Sequence, residues 1–445
     1  MADDWVPDLS RGGGAKYVAI AEAIAAAVET GALRSGDRLP PQRDLAARLG
    51  IDLTTVTKAY EQARARGLIG ARGRAGSFVL PQDAIAAGPP PRDTGMNMPP
   101  EVTGGTLLAT WERTASALLR APGAGGRLHY TPAGGRDADR AAGAAIFGRM
   151  GLPSDADRVV VTAGAQNALH AIVGAALSPG DVVACGRHVY PGFLTVAKKA
   201  GLQLAPLVRV DAAALEALCR TTKVAALYVV PTNDNPTTAT LSEAERGAIA
   251  ATARRYGVRI IEDDAYGQLA EAPIAPLSSF APELGWYVAS ASKTISPALR
   301  VAHVRAPTVD DALRLAGDVH ATSVMPPPLN AALITRWLED GSYDRLIGET
   351  RAEAKARLGI VAAVLPTGSY AAHPCGYHLW VPLTAGRDQD HLAGLLREAG
   401  LTAIPASRFA AGDEAQLALR VSLGGPIGRD GLRRRLKLLA DQVAE

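Results

Sequence analysis

Cysteine is scarce in this chain: 445 residues hold three, Cys185, Cys219 and Cys375. Their odd number and wide spacing exclude a disulfide scaffold and fit a reducing compartment with free thiols. His188, His303 and Cys185 also lack the spacing of metal ligands, so no metal is expected. No uninterrupted run of about 18 apolar residues occurs, which argues against a transmembrane span. Asp3 and Asp4 have no apolar stretch behind them, unlike a signal peptide. Net charge is only +3, so overall charge points to no particular partner. These absences lead us to expect a soluble cytoplasmic protein that makes no membrane contact. What is present is apolar content, 48% of residues, enough for more than one core.

Charge is nevertheless uneven. Between Arg34 and Arg74 nine basic residues face four acidic ones, a local footprint suited to nucleic acid. The same region reads as three short helices. Tyr17 to Thr30 places Ile20, Ile24, Ala27 and Val28 on one face and stops at Gly31. Pro40 and Pro41 open a second helix through Leu45, Ala46 and Leu49, ending at Gly50. Asp52 is the expected N-cap of a third, running to about Arg66 before Gly67. Leu53, Val56, Tyr60 and Ala63 should face inward there, leaving Thr54, Thr55, Thr57 and Lys58 to point out near the helix start. Small hydroxyls and a lysine there can reach phosphates and base edges in a major groove. Leu68-Ile69 and Phe78-Val79 then read as a two-stranded wing with Arg72 and Arg74 at its tip.

This segment resembles the GntR-type winged helix-turn-helix. The resemblance rests on Gly36-Asp37-Arg38-Leu39-Pro40, Arg43, Leu45-Ala46, Leu49-Gly50, Thr55-Val56, Ala59-Tyr60 and Gly67-Leu68-Ile69. It implies that Arg43, the threonines and the wing contact double-stranded operator DNA. Leu53 stands where many members carry arginine. We place this domain at 1–80. A Pro-rich linker follows at 81–100, where Gly88-Pro89-Pro90-Pro91 and Met98-Pro99-Pro100 cannot continue a helix. The linker is expected to act as a tether without a recognition role.

From Asp157 onward, apolar strand-like runs alternate with helical stretches: Val159-Val160-Val161, Asp181 to Ala184, Ala226 to Val230, Val258 to Ile261, Trp286-Tyr287-Val288 and Val301 to Val304. That pattern predicts an α/β fold with a mostly parallel sheet covered on both faces. Ligands bind such sheets in the loops beyond the strands' carboxyl ends. Those loops are predicted to hold Gly164-Ala165-Gln166, Asn235-Pro236, Asp263 to Tyr266 and Ser290 to Lys293.

These residue types are what pyridoxal 5′-phosphate (PLP) chemistry requires. Lys293 supplies an amine for the aldehyde, with burial lowering its pKa. Asp263 can face the pyridine nitrogen and keep it protonated, so that the ring acts as an electron sink. Tyr266 and Asn235 can hydrogen-bond the ring's 3-oxygen. Arg300 can fork onto the phosphate, aided by Ser290 and the backbone N–H groups of Gly164, Ala165 and Gln166. Tyr190 can lie against the ring, and Arg420 is the candidate for a ligand carboxylate.

Residues 101–445, with a small lobe from about 345, resemble the fold-type I aminotransferases: a large mostly parallel sheet domain and a small α+β C-terminal lobe. The resemblance implies a homodimer with sites at the subunit interface. It also implies that Tyr130, with Gly135 and Arg140 at the expected offsets, reaches the neighbouring subunit's phosphate. Thr238 replaces a usual glycine, and Arg187-His188-Val189 replaces an acidic, proline-bearing turn. The whole chain resembles the MocR subfamily of GntR regulators. That implies a PLP-dependent transcriptional regulator sensing an amino acid or amine by aldimine exchange at Lys293, without sustained catalysis. The residues leave room for an aminotransferase-type half-reaction. Three alternatives stay open: a working aminotransferase with an appended DNA-binding domain, a regulator of vitamin B6 metabolism with PLP itself as effector, and a scaffold with a dead site.

Overall fold

The computed structural model describes residues 5–7, 16–34, 36–65, 68–71, 76–79, 95–102, 104, 106–412 and 416–443. Two compact units divide the chain, Met1–Thr94 and Gly95–Glu445.

In the first unit, α1 (Lys16–Glu29), α2 (Gln42–Leu49) and α3 (Leu53–Ala65) precede an antiparallel pair, β1 (Ile69–Ala71) and β2 (Ser77–Val79). Gly31 and Gly50 follow α1 and α2 with φ of 74° and 61°, left-handed values that glycine adopts without a Cβ penalty. Pro40 and Pro41 precede α2 instead of starting it. Ile20, Ile24, Leu45, Val56, Tyr60 and Ala63 form one core. Tyr60 donates its hydroxyl to the Pro40 carbonyl at 2.8 Å, tying α3 to the approach of α2.

Leu53 departs from expectation. It is 38% exposed, because it occupies the first turn of α3, beyond the part that α1 and α2 cover. Asp52 caps that turn, accepting from the Thr54 N–H at 2.7 Å. Arg72 and Arg74 lie outside the described residues.

The second unit centres on a seven-stranded sheet. In chain order its strands are β3 (Val159–Thr162), β4 (Val182–Gly186), β5 (Gln203–Leu207), β6 (Val224–Val229), β7 (Arg259–Asp264), β8 (Gly285–Ser290) and β9 (Ala302–Arg305). Their spatial order is β3-β9-β8-β7-β6-β4-β5. Only β9 runs against its neighbours. Its start therefore lies at the same rim as the carboxyl ends of the others. Sequence patterning missed β5, an edge strand whose Gln203 and Pro206 interrupt the apolar run. It also ended the β7 segment at Ile261. The strand continues to Asp264, so Asp263 and Asp264 are strand residues, not loop residues; both are buried and each is held by a tyrosine hydroxyl.

The C-terminal lobe carries an antiparallel sheet of β10 (Ala371–Ala372), β11 (His378–Pro382), β12 (Ala403–Pro405) and β13 (Ala418–Ser422), in the order β10-β11-β13-β12. A long helix, Ser342–Val364, leads into it. Gly95–Pro100, read above as the end of the linker, is not free tether. Asn97 is buried, and Pro100 bridges to Gly425 of this lobe. No helix among the described residues is long and apolar enough to cross a membrane.

The loop from Pro231 to Pro236 is fixed from behind by Arg246, which is fully buried. Its guanidinium donates to the carbonyls of Pro231, Leu241, Ile274 and Ala275 and to the Thr232 hydroxyl, at 2.8–3.2 Å. The Pro231 carbonyl also accepts the Leu241 N–H, but Arg246→Met would leave the other four acceptors without this donor, at about 1 kcal/mol for each one. We therefore expect a loss of about 4 kcal/mol in the larger unit, read as a lower denaturant midpoint by circular dichroism.

Candidate functional site

Five segments converge at the carboxyl rim of the sheet. Asp263, one residue from the end of β7, accepts from the Tyr228 hydroxyl through Oδ2 at 3.1 Å, while its Oδ1 has no partner among the described residues. Asn235, in the loop after β6, is buried with Oδ1 likewise unpartnered. The peptide that follows it, Asn235–Pro236, is cis. Lys293 follows β8 and is half-buried, with its own carbonyl accepting from Tyr377 at 2.8 Å. Tyr266 is buried, and its hydroxyl oxygen accepts from Asn97 at 3.0 Å. That leaves the Tyr266 proton free to donate elsewhere.

Burial sets the charge states. It pushes the Lys293 ammonium down to about 8, with Arg420 and Arg300 adding to the effect and Asp263 opposing it. It pushes the Asp263 carboxyl up to about 6 against the Tyr228 hydrogen bond. The Tyr266 phenol rises to about 12, chiefly by burial. His378, wholly buried on β11, falls to about 3, mainly by burial and then by the nearby Arg420. A lysine whose pKa is drawn down to about 8 beside a carboxylate with an open oxygen is an unusual juxtaposition outside functional sites.

The other wall is built for an anion. Gly164 precedes the helix Ala165–Ala176 with φ of 86°, and a Cβ there would stand 2.9 Å from a guanidinium nitrogen of Arg300. Arg300 itself adopts φ of 49° and donates to the Ala163 carbonyl at 3.0 Å. This arrangement joins a guanidinium to a helix N-terminus. Ala165 and Gln166 form the helix's first turn, and the Gln166 amide donates to the Gly192 carbonyl at 3.0 Å. Gly192 admits the Tyr190 ring, since a Cβ would lie 2.3 Å from it. Ser290, the last residue of β8, is buried and accepts from the Ser292 N–H at 3.2 Å. Arg420, buried on β13, donates to the Gly95 carbonyl at 2.6 Å. Tyr130 stands apart, 82% exposed. Thr238 holds φ of 63°, a left-handed value that its branched Cβ disfavours.

On the first unit, Arg43, Thr54 and Lys58 are exposed and Thr55 is half-buried. Thr57 does not simply point outward as expected. Its hydroxyl lies 3.0 Å from both the Leu53 carbonyl and Gln42 Oε1, wedging it between α3 and α2.

Sequence reasoning missed Asn97, His378 and Ser422. Ser422 carried a signal: two residues from Arg420 on one strand, it shares that face, and His378 pairs opposite it. Asn97 gave none, because its partners lie 169 to 325 residues away.

Residues 101–428 match the model for aminotransferase class I and II. The chain belongs to that family. Residues 16–79 match bacterial regulatory proteins of the gntR family, and the two together are the MocR architecture. The HTH-type transcriptional regulator YdeF of Bacillus subtilis is 27% identical over 98% of this chain and 96% of its own length. The vitamin B6 salvage pathway transcriptional repressor PtsJ of Salmonella typhimurium is 29% identical, covering 82% of this chain and 84% of that one. Among solved structures, a Pyrococcus horikoshii kynurenine aminotransferase superposes with a TM-score of 0.71. It is 22% identical and covers 78% of this chain and 89% of that one. The protein is thus a DNA-binding transcriptional regulator with an aminotransferase-like domain, and PLP is the cofactor of that fold. The open oxygens of Asp263 and Asn235 and the Gly164–Arg300 cradle fit it.

The depressed Lys293 value generates a pH prediction. Only the neutral amine attacks an aldehyde, so the rate at which added PLP produces a visible absorption band in apoprotein should rise with pH and level off above about 8. A surface lysine would still be gaining rate at about pH 10. Stopped-flow absorbance across pH 6–10, a range we set around these values, separates the two.

Proposed function

We propose that this regulator reads an amino acid or amine through PLP held at Lys293, and converts ligand occupancy into altered operator binding. The observation that carries this reading is the pairing of a half-buried, charge-depressed Lys293 with an Asp263 oxygen that no protein group satisfies. In the bound state PLP would supply an electrophilic carbon and an electron-withdrawing ring.

The protein's own groups have separable tasks. Lys293 provides the amine. Asp263 holds a proton on the ring nitrogen, and Tyr228 keeps that carboxylate aimed. Tyr266 and Asn235 orient the ring oxygen, with Asn97 fixing which way the Tyr266 proton points. Arg300, Ser290 and the N–H groups of Gly164, Ala165 and Gln166 bind the phosphate, and Tyr190 covers the ring. Arg420 anchors a ligand carboxylate as a two-pronged donor.

Tyr130 and the exposed apolar side chains of Leu128, Leu313 and Val324 suit a homodimer in which Tyr130 completes the partner's site. On the head, Arg43, Thr54, Thr55 and Lys58, with Arg72 and Arg74, make the operator contacts, while Thr57 is held between α3 and α2. Two heads per dimer favour paired half-sites. Turnover is not part of this reading, and Thr238 in place of glycine gives no reason to add it.

A second reading has one specific support, the vitamin B6 salvage role named for PtsJ: PLP itself would be the effector. Titrating PLP alone into protein on labelled operator DNA distinguishes the two. An amino acid sensor should change DNA affinity only when the amine is also added.

Lys293→Ala should abolish the covalent visible band and the ligand response together, while noncovalent PLP binding persists through Arg300. A band that survives denaturation in this variant would defeat the assignment. Lys58→Ala should weaken binding about equally on all sequences and reduce the salt slope by about 1 in fluorescence anisotropy.

A further inference from the structure

Residues Gly95–Asn97 lie deeper in the ligand site than a tether requires. The Gly95 carbonyl takes a donor of Arg420 at 2.6 Å, and the Asn97 carbonyl takes the Lys293 amine at 2.5 Å. One short stretch of backbone thus meets two of the pocket's cationic groups. The Asn97 side chain locks that stretch from both lobes. Its Oδ1 accepts from the Ser422 hydroxyl at 2.7 Å, and its Nδ2 donates to the Tyr266 hydroxyl at 3.0 Å and to His378 Nδ1 at 3.3 Å. With Nδ1 accepting, His378 donates from Nε2 to the Asp234 carbonyl at 3.1 Å, so one neutral tautomer satisfies both contacts.

We propose that Gly95–Asn97 is an internal occupant of the ligand site. A carboxylate ligand must displace it from Arg420, and the displacement passes the binding signal into the chain leading to the DNA-binding head. This rests on the reading of Arg420 as the carboxylate anchor. A carboxylate is a stronger partner for guanidinium than a neutral carbonyl, so the exchange runs towards the ligand. The Asn97 clamp keeps the displaced segment close enough to return when the ligand leaves. Gly95 directly adjoins residues 80–94, which lead back to β2, so no other moving part is needed. An amine without a carboxylate would react at Lys293 and leave Gly95 in place. Chromophore change and DNA response would then separate.

Hydrogen exchange of the full-length, PLP-loaded protein, followed by mass spectrometry on peptides covering residues 95–102, tests this. Without ligand, and compared at equal PLP occupancy, Arg420→Leu should speed exchange there several-fold and Ser422→Ala should speed it less. In the unaltered protein, L-amino acids that shift the band should speed exchange in the same peptides. Their decarboxylated amines, such as ethylamine for L-alanine, should shift the band without doing so. Unchanged exchange in both variants overturns the inference, as does an equal effect of amines and amino acids. A protein that never develops the band fails differently, by removing the cofactor reading beneath it.

Discussion

Everything at the rim depends on keeping Asp263 charged inside a buried strand. β6 and β8 on either side carry no charged residue, and burial, with the neighbouring Asp264 adding to it, drives the carboxyl towards neutrality. Tyr228 from the neighbouring strand opposes that shift with a hydroxyl on one oxygen and leaves the second oxygen facing the site. A buried acceptor with no donor is costly. In the reading proposed above, a protonated ring nitrogen would cancel that cost. Lys293 has the complementary problem, since it must shed its charge to react. The same low-polarity surroundings, with Arg420 and Arg300 nearby, do that. One environment therefore tunes an acid and a base in opposite directions.

The parts legible in the sequence were those with local causes. Helix ends at Gly31 and Gly50 follow from glycine's access to positive φ, and the head's core follows from apolar spacing. The order and spacing of Asn235, Asp263, Tyr266, Lys293 and Arg300 pointed to the aminotransferase fold and its cofactor. Tertiary causes were not legible. Asp263 and Asp264 read as loop because charged residues rarely sit inside a strand; the Tyr228 and Tyr287 hydroxyls and, for Asp264, the Gly267 N–H make that placement tolerable. Leu53 read as core because helical periodicity does not say where the neighbouring helices stop. The Gly95–Pro100 stretch read as tether because its proline content says only that it is not helical.

The two functional units differ in what holds them. The head is a small core with basic residues such as Arg43 and Lys58 exposed on its surface. The larger unit hides nearly every reactive group. Coupling between such units requires a ligand that binds two arrangements with different affinity, by about 1–3 kcal/mol in typical cases. The loss or gain of one charged hydrogen bond is of that size, so a single guanidinium contact is an adequate lever.

The reversed direction of β9 has a consequence for how the site can vary. Because β8 ends and β9 begins at the same rim, Lys293 and Arg300 share one short connection. Elsewhere in the sheet, successive strands are joined across a covering helix, whose length can absorb insertions. Here no such slack exists: adding one residue between amine and guanidinium would pull the two ends of the cofactor grip out of step. In the reading proposed above, the spacing between position 293 and position 300 is thus a ruler, cut to the length of the molecule it would measure.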